Sequence, residues 1–415
     1  MTSKTALHLI ALPEEHLPQI ISYLTLNDVC QLRLVSTSLD PRHVHHLWMD
    51  EEGENSHNIT LGRGIMTSRR LQRMLSIFTN TTSLRLYGLK LLCRPAVTLS
   101  RNYLEVLQNS ACAQNLECLE LLGVFDCDSE CNAYSSDWGT GSTPSYRGHA
   151  DVCFPKLKRL AIGGVCHEDP QLIRSLLRSS HQITHLRLGG PIPRLCDFDI
   201  EIAIMQFHNN TLEELILDGC CGKIISLEIK STRLRTLDLS GCKSLSEFQP
   251  GSHCPNLEEL DLSNCSNLSL SFLKSKFCPR LKVLKLRMNT TIEEMYSADK
   301  GGNDSEHQPY LPHLEHIDIR DCPLLRHVSI RSPVLTTAEV RGCNHMQSLT
   351  VSSPVLSTLC VAWLYSLENI SLDCPVLTSL DLTGCYKLSN KGMQLKCPAL
   401  QSSGIRNGTN DASGY

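Results

Sequence analysis

The amino-acid sequence predicts an α/β solenoid of stacked parallel strands, preceded by a short α-helical segment. Three observations carry this expectation. An apolar template recurs every 21 to 24 residues in the second half of the chain. A fainter copy of it falls midway between the late repeats. The first fifty residues show helical periodicity and none of the template.

The template is read directly from the residues. Leu212-Glu-Glu-Leu215-Ile-Leu217-Asp-Gly-Cys220 is one unit and Leu234-Arg-Thr-Leu237-Asp-Leu239-Ser-Gly-Cys242 is the next. Units from Leu257, Leu314, Leu335 and Leu377 end on Cys265, Cys322, Cys343 and Cys385. Units from Leu281 and Leu356 keep the apolar spacing and lose the cysteine, with Asn289 in its place in the first. This L-x-x-L-x-L-x-x-C/N pattern is that of the leucine-rich repeat. The alternating L-x-L core predicts a short strand with one buried face. A small polar side chain suits the turn that follows. One unit cannot bury its apolar face alone, but a stack can.

The spacing refines the fold. Unit starts at 314, 335, 356 and 377 are 21 residues apart. That is too short for a strand and a long helix. The fainter series Leu325…Val328-Ser-Ile330, Met346…Leu349-Thr-Val351 and Leu367…Ile370-Ser-Leu372 lies between them. The C-terminal half should therefore carry extended or 3₁₀ segments on its convex side, giving two sheets. In the N-terminal half, strands are expected from Leu84, Leu116, Leu157 and Ile183. Segments with helical spacing at 101–113, 170–179 and 199–208 should supply convex-side helices. The whole reads as a leucine-rich-repeat horseshoe over 84–400, after a linker and first solenoid helix over 50–83. Polar insertions at 127–153 and 297–312 read as surface loops, and 401–415 as a disordered tail.

Residues 9–49 follow another rule. Leu17, Ile20, Ile21 and Leu24 form one apolar helical stripe. Thr25 to Asp28 is a polar break with capping residue types. Val29, Leu32 and Val35 form a second stripe. Pro18 either removes the bond to the Glu14 carbonyl, at about 3 kcal/mol, or sits in the first turn of a helix beginning near Leu17. So small a helical unit gains by docking its apolar face on a partner; alternatively it only caps the solenoid.

At these residues the sequence resembles the F-box family. Leu12-Pro13, Ser22-Tyr23-Leu24, Asp28 and Val35-Ser36 fall at the family's spacings, with Leu39 where the family often has Trp. With the cysteine-type repeats behind it, the chain resembles the F-box/leucine-rich-repeat group. The resemblance implies a non-catalytic subunit of an SCF-type ubiquitin ligase that directs proteins to ubiquitin conjugation and degradation. Leu12, Pro13, Leu17, Ile20, Ile21 and Leu24 would face a Skp-type adaptor, and through it a cullin and a RING protein. The repeats would hold the target protein. A ligase-independent protein-binding scaffold is the alternative.

On the repeats, residues flanking the buried positions should face the concave side. Arg287, Arg320 and Arg341 stack there on neighbouring units, with Lys285 in the adjoining column, and could read a carboxylate or phosphate on a target. Asp318 and Glu339 adjoin them, and simple surface pairing with these acids is the reading favoured over target contact.

The remaining features exclude other classes. The chain has 415 residues, 39 basic and 43 acidic side chains and a net charge of -4, which disfavours nucleic acid as a partner. No run of apolar residues is long enough for a membrane span, and Met1 to Pro13 does not read as a secretory signal. Cytosol or nucleus is expected. The 21 cysteines are therefore read as reduced and structural. Cys127, Cys131, His149 and Cys153 have loose zinc-ligand spacing at most, and His43, His45 and His46 read as a solvated helix face. No nucleophile-and-base arrangement occurs, so no catalytic residue, metal or cofactor is expected.

Overall fold

The structure is a computed structural model. It describes residues 46–49, 65–66, 72, 75–76, 79–87, 90–91, 106–122, 154–163, 180–189, 211–217, 225–274, 277–296, 311–402 and 405–407. The chain divides into two compact units, Met1–Phe198 and Asp199–Tyr415. Both are built from parallel strands, and the leucine-rich-repeat architecture read from the sequence is the architecture found.

In the first unit the strands are β1 (His46–Met49), β2 (Ile65–Met66), β3 (Ser83–Tyr87), β4 (Lys90–Leu91), β5 (Cys118–Leu122), β6 (Arg159–Gly163) and β7 (His185–Leu188). Strands β1, β3, β5, β6 and β7 pair in parallel in that order, and β2 pairs with β4. Leu47, Leu84, Leu119, Leu160 and Leu186 share one register position. The first parallel strand thus lies in residues expected to end the helical segment, and His46 is in that strand, not on a helix. Leu84 occupies the second apolar position of its unit, not the first. The first is held by Thr81, which is fully buried. Of the segment expected to be helical at 101–113, residues 106–108 are helical and Ala111–Gln114 form a 3₁₀ turn. The segments at 170–179 and 199–208 and the insertion at 127–153 lie outside the described residues.

In the second unit the strands follow in order: β8 (Glu214–Ile216), β9 (Ser226–Leu227), β10 (Thr236–Asp238), β11 (Glu247–Phe248), β12 (Glu259–Asp261), β13 (Val283–Lys285), β14 (Glu294–Tyr296) and β15 (His316–Asp318). Then come β16 (His327–Arg331), β17 (Thr337–Glu339), β18 (Ser348–Ser352), β19 (Thr358–Cys360), β20 (Asn369–Asp373), β21 (Ser379–Leu382), β22 (Met393–Lys396) and β23 (Ile405–Asn407). The main sheet runs β8-β10-β12-β13-β15-β17-β19-β21-β23, and a second parallel sheet runs β14-β16-β18-β20-β22. The fainter apolar series builds β16, β18 and β20, so two sheets per unit are present as expected. A short pair, β9 and β11, carries the second sheet's pattern into earlier repeats. Short 3₁₀ turns occur at Leu270–Lys274 and Asn390–Gly392.

In β10, β12, β13 and β17 the central residue is buried and both flanks are half-buried. Leu237, Leu260, Leu284, Ile317 and Leu359 therefore stack in one column, and Leu239, Leu262, Leu286, Ile319 and Val361 in the next. Burying each such side chain contributes roughly 1.5–3 kcal/mol, which a single rung could not sustain without its neighbours. Entry into each strand uses a second repeated device. Cys254-Pro255, Cys278-Pro279, Leu311-Pro312, Cys374-Pro375 and Cys397-Pro398 stand just before a unit start. There the Leu257, Leu281, Leu314, Leu377 and Leu400 amides donate to the carbonyl three residues back. Proline favours the second position of such a turn by fixing φ.

Two boundaries differ from expectation. Leu311, expected inside the second insertion, is buried in the core, because it opens the turn into the next unit. The segment expected as a disordered tail supplies β23, which extends the open edge of β21 in parallel, Leu380 beside Ile405.

Candidate binding surfaces

Leu12, Pro13, Leu17, Ile20, Ile21 and Leu24 lie outside the described residues. The basic set on the repeats is within them. Lys285 sits on β13, and Arg287, Arg320 and Arg341 hold the same position after β13, β15 and β17, so the column read from the sequence is a real one.

Its charges are engaged to different degrees. Arg320 donates from Nε to Asp318 Oδ1 at 2.8 Å and from Nη2 to Asp318 Oδ2 at 2.6 Å. This two-pronged pairing leaves its side chain 23% exposed, and it raises the guanidinium pKa further above its ordinary value. Arg287 and Arg341 are held more loosely, at 3.7 Å from Asp318 and 3.9 Å from Glu339, and are 42% and 48% exposed. Lys285 donates to Glu259 at 2.6 Å. Burial opposes its charge, but the Glu259 hydrogen bond and the Glu259, Asp261 and Asp238 charges outweigh that and raise its pKa. Arg287 and Arg341 are thus the more open guanidinium groups of the column.

The acidic column beside them has a structural task. Asp238, Asp261, Asp318 and Asp381 accept from the backbone N–H two residues on, in Ser240, Ser263, Arg320 and Thr383. Each carboxylate closes the turn at the strand's end, as Asp side chains commonly do.

The repeat cysteines are structural in the same way. Cys242, Cys265, Cys322, Cys343 and Cys385 donate to the carbonyls of Leu217, Leu239, Leu286, Ile319 and Val361 in the preceding unit, at 3.1 to 3.4 Å. Asn289 does this with its amide and also accepts from the Cys265 N–H. Burial pushes the Cys254, Cys265 and Cys278 thiols up to about 12, so they are protonated donors and not nucleophiles. Among the described residues, no group of three or more His, Cys, Asp or Glu is placed to hold a metal ion. No helix among them is long and apolar enough to cross a membrane.

Two surfaces escaped the sequence reading. In the first unit, buried Glu120 lies 3.6 Å from Arg85 Nε and 3.9 Å from Arg159 Nη1 on the outward face of β3, β5 and β6. Its signal was hidden because the early units lack the full template. In the second unit, Trp363, Tyr365 and Tyr386 are exposed in the turns after β19 and β21. The signal there was available: Trp363 falls where most other units place Gly, Asn or Asp.

Family models match two parts of the chain. The F-box domain model matches residues 9–39, and a leucine-rich-repeat model of two copies matches residues 232–275. Solved structures similar to the chain include the Rad7 and Elc1 complex from yeast, at 13% identity and TM-score 0.39, covering 100% of this chain and 89% of that one. A leucine-rich repeat protein from Bacteroides ovatus is similar at 12% identity and TM-score 0.21, covering 55% and 75%. The TLR13–ssRNA13 complex is similar at 14% identity and TM-score 0.27, covering 75% and 47%. No curated protein sequence matches the chain. An F-box sequence followed by leucine-rich repeats is the domain pairing of F-box/leucine-rich-repeat proteins, and this chain carries both parts.

Proposed function

We propose that the chain is the target-recognition subunit of an SCF-type ubiquitin ligase, acting in the cytosol or nucleus. The observation that carries this reading is the F-box match at residues 9–39 with a leucine-rich-repeat solenoid behind it. Leu12 and Pro13, with the apolar stripe of Leu17, Ile20, Ile21 and Leu24, dock on a Skp-type adaptor, which links to cullin and RING subunits. The repeats hold a target protein for ubiquitin-dependent degradation. The chain contributes no covalent chemistry. It raises the effective concentration of target lysines near the ligase's charged conjugating enzyme.

In this reading Lys285, Arg287, Arg320 and Arg341 belong to the target-facing set. Arg287 and Arg341 are best placed to meet a target carboxylate or phosphate, since the Arg320 fork is filled by Asp318. Capture of phosphorylated and unphosphorylated target pools by wild-type and Arg287→Glu chains checks this set. Equal capture removes Arg287 from it.

Affinity purification under proteasome inhibition tests the function. The adaptor is expected to co-purify with the wild-type chain and to be lost from the Leu17→Asp/Ile21→Asp double variant. A stable chain that never retains the adaptor would leave only a repeat scaffold that binds partners without a ligase.

A further inference from the structure

The turns that follow the main-sheet strands share one backbone conformation. The residue seven places after each unit start has positive φ: Gly241, Asn264, Met288, Asp321, Gly342, Trp363 and Gly384, at 55° to 80°. At Gly241, Asn264, Met288, Asp321 and Trp363 its N–H donates to the next unit, from Trp363 to the Thr383 carbonyl at 2.6 Å. Gly, Asn and Asp tolerate this left-handed geometry, whereas a bulky side chain does so at a cost. Trp363 breaks that rule with the bulkiest side chain of all. Its unit also lacks the cysteine donor, with buried Leu364 at that place.

What this turn displays is an aromatic surface. Trp363, Tyr365 and Tyr386 are 48%, 42% and 56% exposed. Tyr365 and Tyr386 stack at 5.9 Å with 10° between their planes, and Trp363 meets Tyr365 edge to face at 6.4 Å. Gly384 makes room for the indole: a Cβ there would stand 2.9 Å from Trp363 Cε3. The rings thus form a pre-arranged platform held by neighbouring turns.

The turns that carry the platform hold charge of one sign only. The turns 341–345, 362–366 and 383–387 contain Arg341, His345 and Lys387 and no Asp or Glu. Lys387 makes no ion pair among the described residues, and Arg341 reaches Glu339 only at 3.9 Å. Strained bulky residues collect where a chain meets a partner, and aromatic groups beside arginine anchor interfaces. A cationic partner would be repelled. An acidic column of Asp318, Glu339 and Asp381 runs alongside; it opposes an extended polyanion such as nucleic acid more than the single carboxylate of a peptide.

We infer that this platform docks a peptide segment of a target protein, one with an aromatic or branched aliphatic side chain next to Asp or Glu. The apolar side chain lies on the Trp363–Tyr365–Tyr386 rings, and the carboxylate meets Arg341 and Lys387. This deepens the proposed target-recognition role and rests on it.

The test is selection of a phage-displayed library of random short peptides on the purified full chain, with Trp363→Asn and Tyr386→Ser chains in parallel. Asn suits the left-handed turn, so the Trp363→Asn chain keeps its fold. The wild-type chain is expected to enrich peptides joining Trp, Phe or Leu to Asp or Glu, about tenfold over both variants. Adaptor co-purification should be unchanged in both. Enrichment that survives both variants, selection of basic peptides, no enrichment at all, or preferential retention of oligo(dT) by the wild-type chain would each overturn the platform. Loss of the adaptor from the wild-type chain would instead overturn the ligase reading.

Discussion

Asn289 gives the sharpest measure of how the rungs are joined. It is fully buried and makes three hydrogen bonds. It accepts from the Cys265 N–H at 2.8 Å and donates to the Leu262 and Leu286 carbonyls at 3.0 and 2.8 Å. Replacing it with Leu removes all three and strands a buried N–H. At about 1 kcal/mol net per bond, with a penalty for the orphaned donor, the loss should be about 2–4 kcal/mol. Replacing it with Cys restores the residue type that other units use. A thiol there should still donate to the Leu262 carbonyl, as Cys242 does to Leu217, but it cannot accept well from Cys265. That variant should lose about 1–2 kcal/mol. Urea unfolding followed by far-UV circular dichroism gives both values by linear extrapolation. The expected order is wild type, then Asn289→Cys, then Asn289→Leu. A Leu variant within about 0.5 kcal/mol of wild type, or a Cys variant less stable than the Leu variant, would refute the view that this position joins units through hydrogen bonds.

Three further outcomes follow from the same geometry. Burial raises the Cys254, Cys265 and Cys278 thiols from 9.0 to about 12. Between those values the unfolded chain sheds protons that the folded chain keeps, so stability should be constant below pH 9 and fall above it, by up to about 1.4 kcal/mol per pH unit per thiol; equal urea midpoints at pH 8 and pH 10 would contradict this. Gly384→Ala places a Cβ at φ +80° and 2.9 Å from the indole, and should cost about 2 kcal/mol; an unchanged thermal midpoint would mean the turn relaxes freely. Met288→Asn relieves a bulky side chain at φ 55° and should raise stability by about 0.5–1 kcal/mol, read by the same urea titration; a loss would show that the Met288 side chain holds the turn.

The second unit was legible because its pattern repeats without error where the core is made. Every residue read as apolar from Leu212 to Leu382 on the template is buried on a strand or beside one. The fainter series at Leu325, Met346 and Leu367 was legible for the same reason. The early units were harder because Thr81 replaces the leading Leu. That substitution shifts the apparent start to Leu84 and misplaces the frame by three residues. Strands β9 and β11 are two residues each, too short to show a period. Strand β23 was hidden because Ile405 stands five places after Leu400, where the template would put it three places after. The proline turns were present in the sequence as a second cysteine column, Cys254, Cys278, Cys374 and Cys397, which a reading tuned to the first column passes over. Of the proposed site, the basic column and its pairing with Asp318 and Glu339 were both open from the letters, but that Arg320 is forked by Asp318 while Arg287 and Arg341 stay looser was not, since rotamers leave no trace in spacing.

The same distinction bears on where recognition resides. Residues that obey the repeat have tasks inside the solenoid: Asp318 caps a strand end, Cys343 ties one unit to the last, and Ile317 fills the core. Changing any of them disturbs the rungs before it disturbs a partner. In the proposed role, recognition falls to positions the repeat leaves free or violates. Arg287 and Arg341 are of the first kind, with exposed side chains on strand ends that need no side chain there. Trp363 is of the second kind, because its turn forgoes both a left-handed Gly or Asn and a thiol bond, each worth about 1 kcal/mol. Local conflict of this sort persists where another interaction compensates for it. For this turn the stacked rings of Tyr365 and Tyr386 offset only part of the loss, since all three rings remain exposed to solvent. In the inferred complex the remainder is recovered when an apolar side chain covers them, which is why the platform, more than the acid-paired arginine column, is proposed as the place where a target's side chain is read.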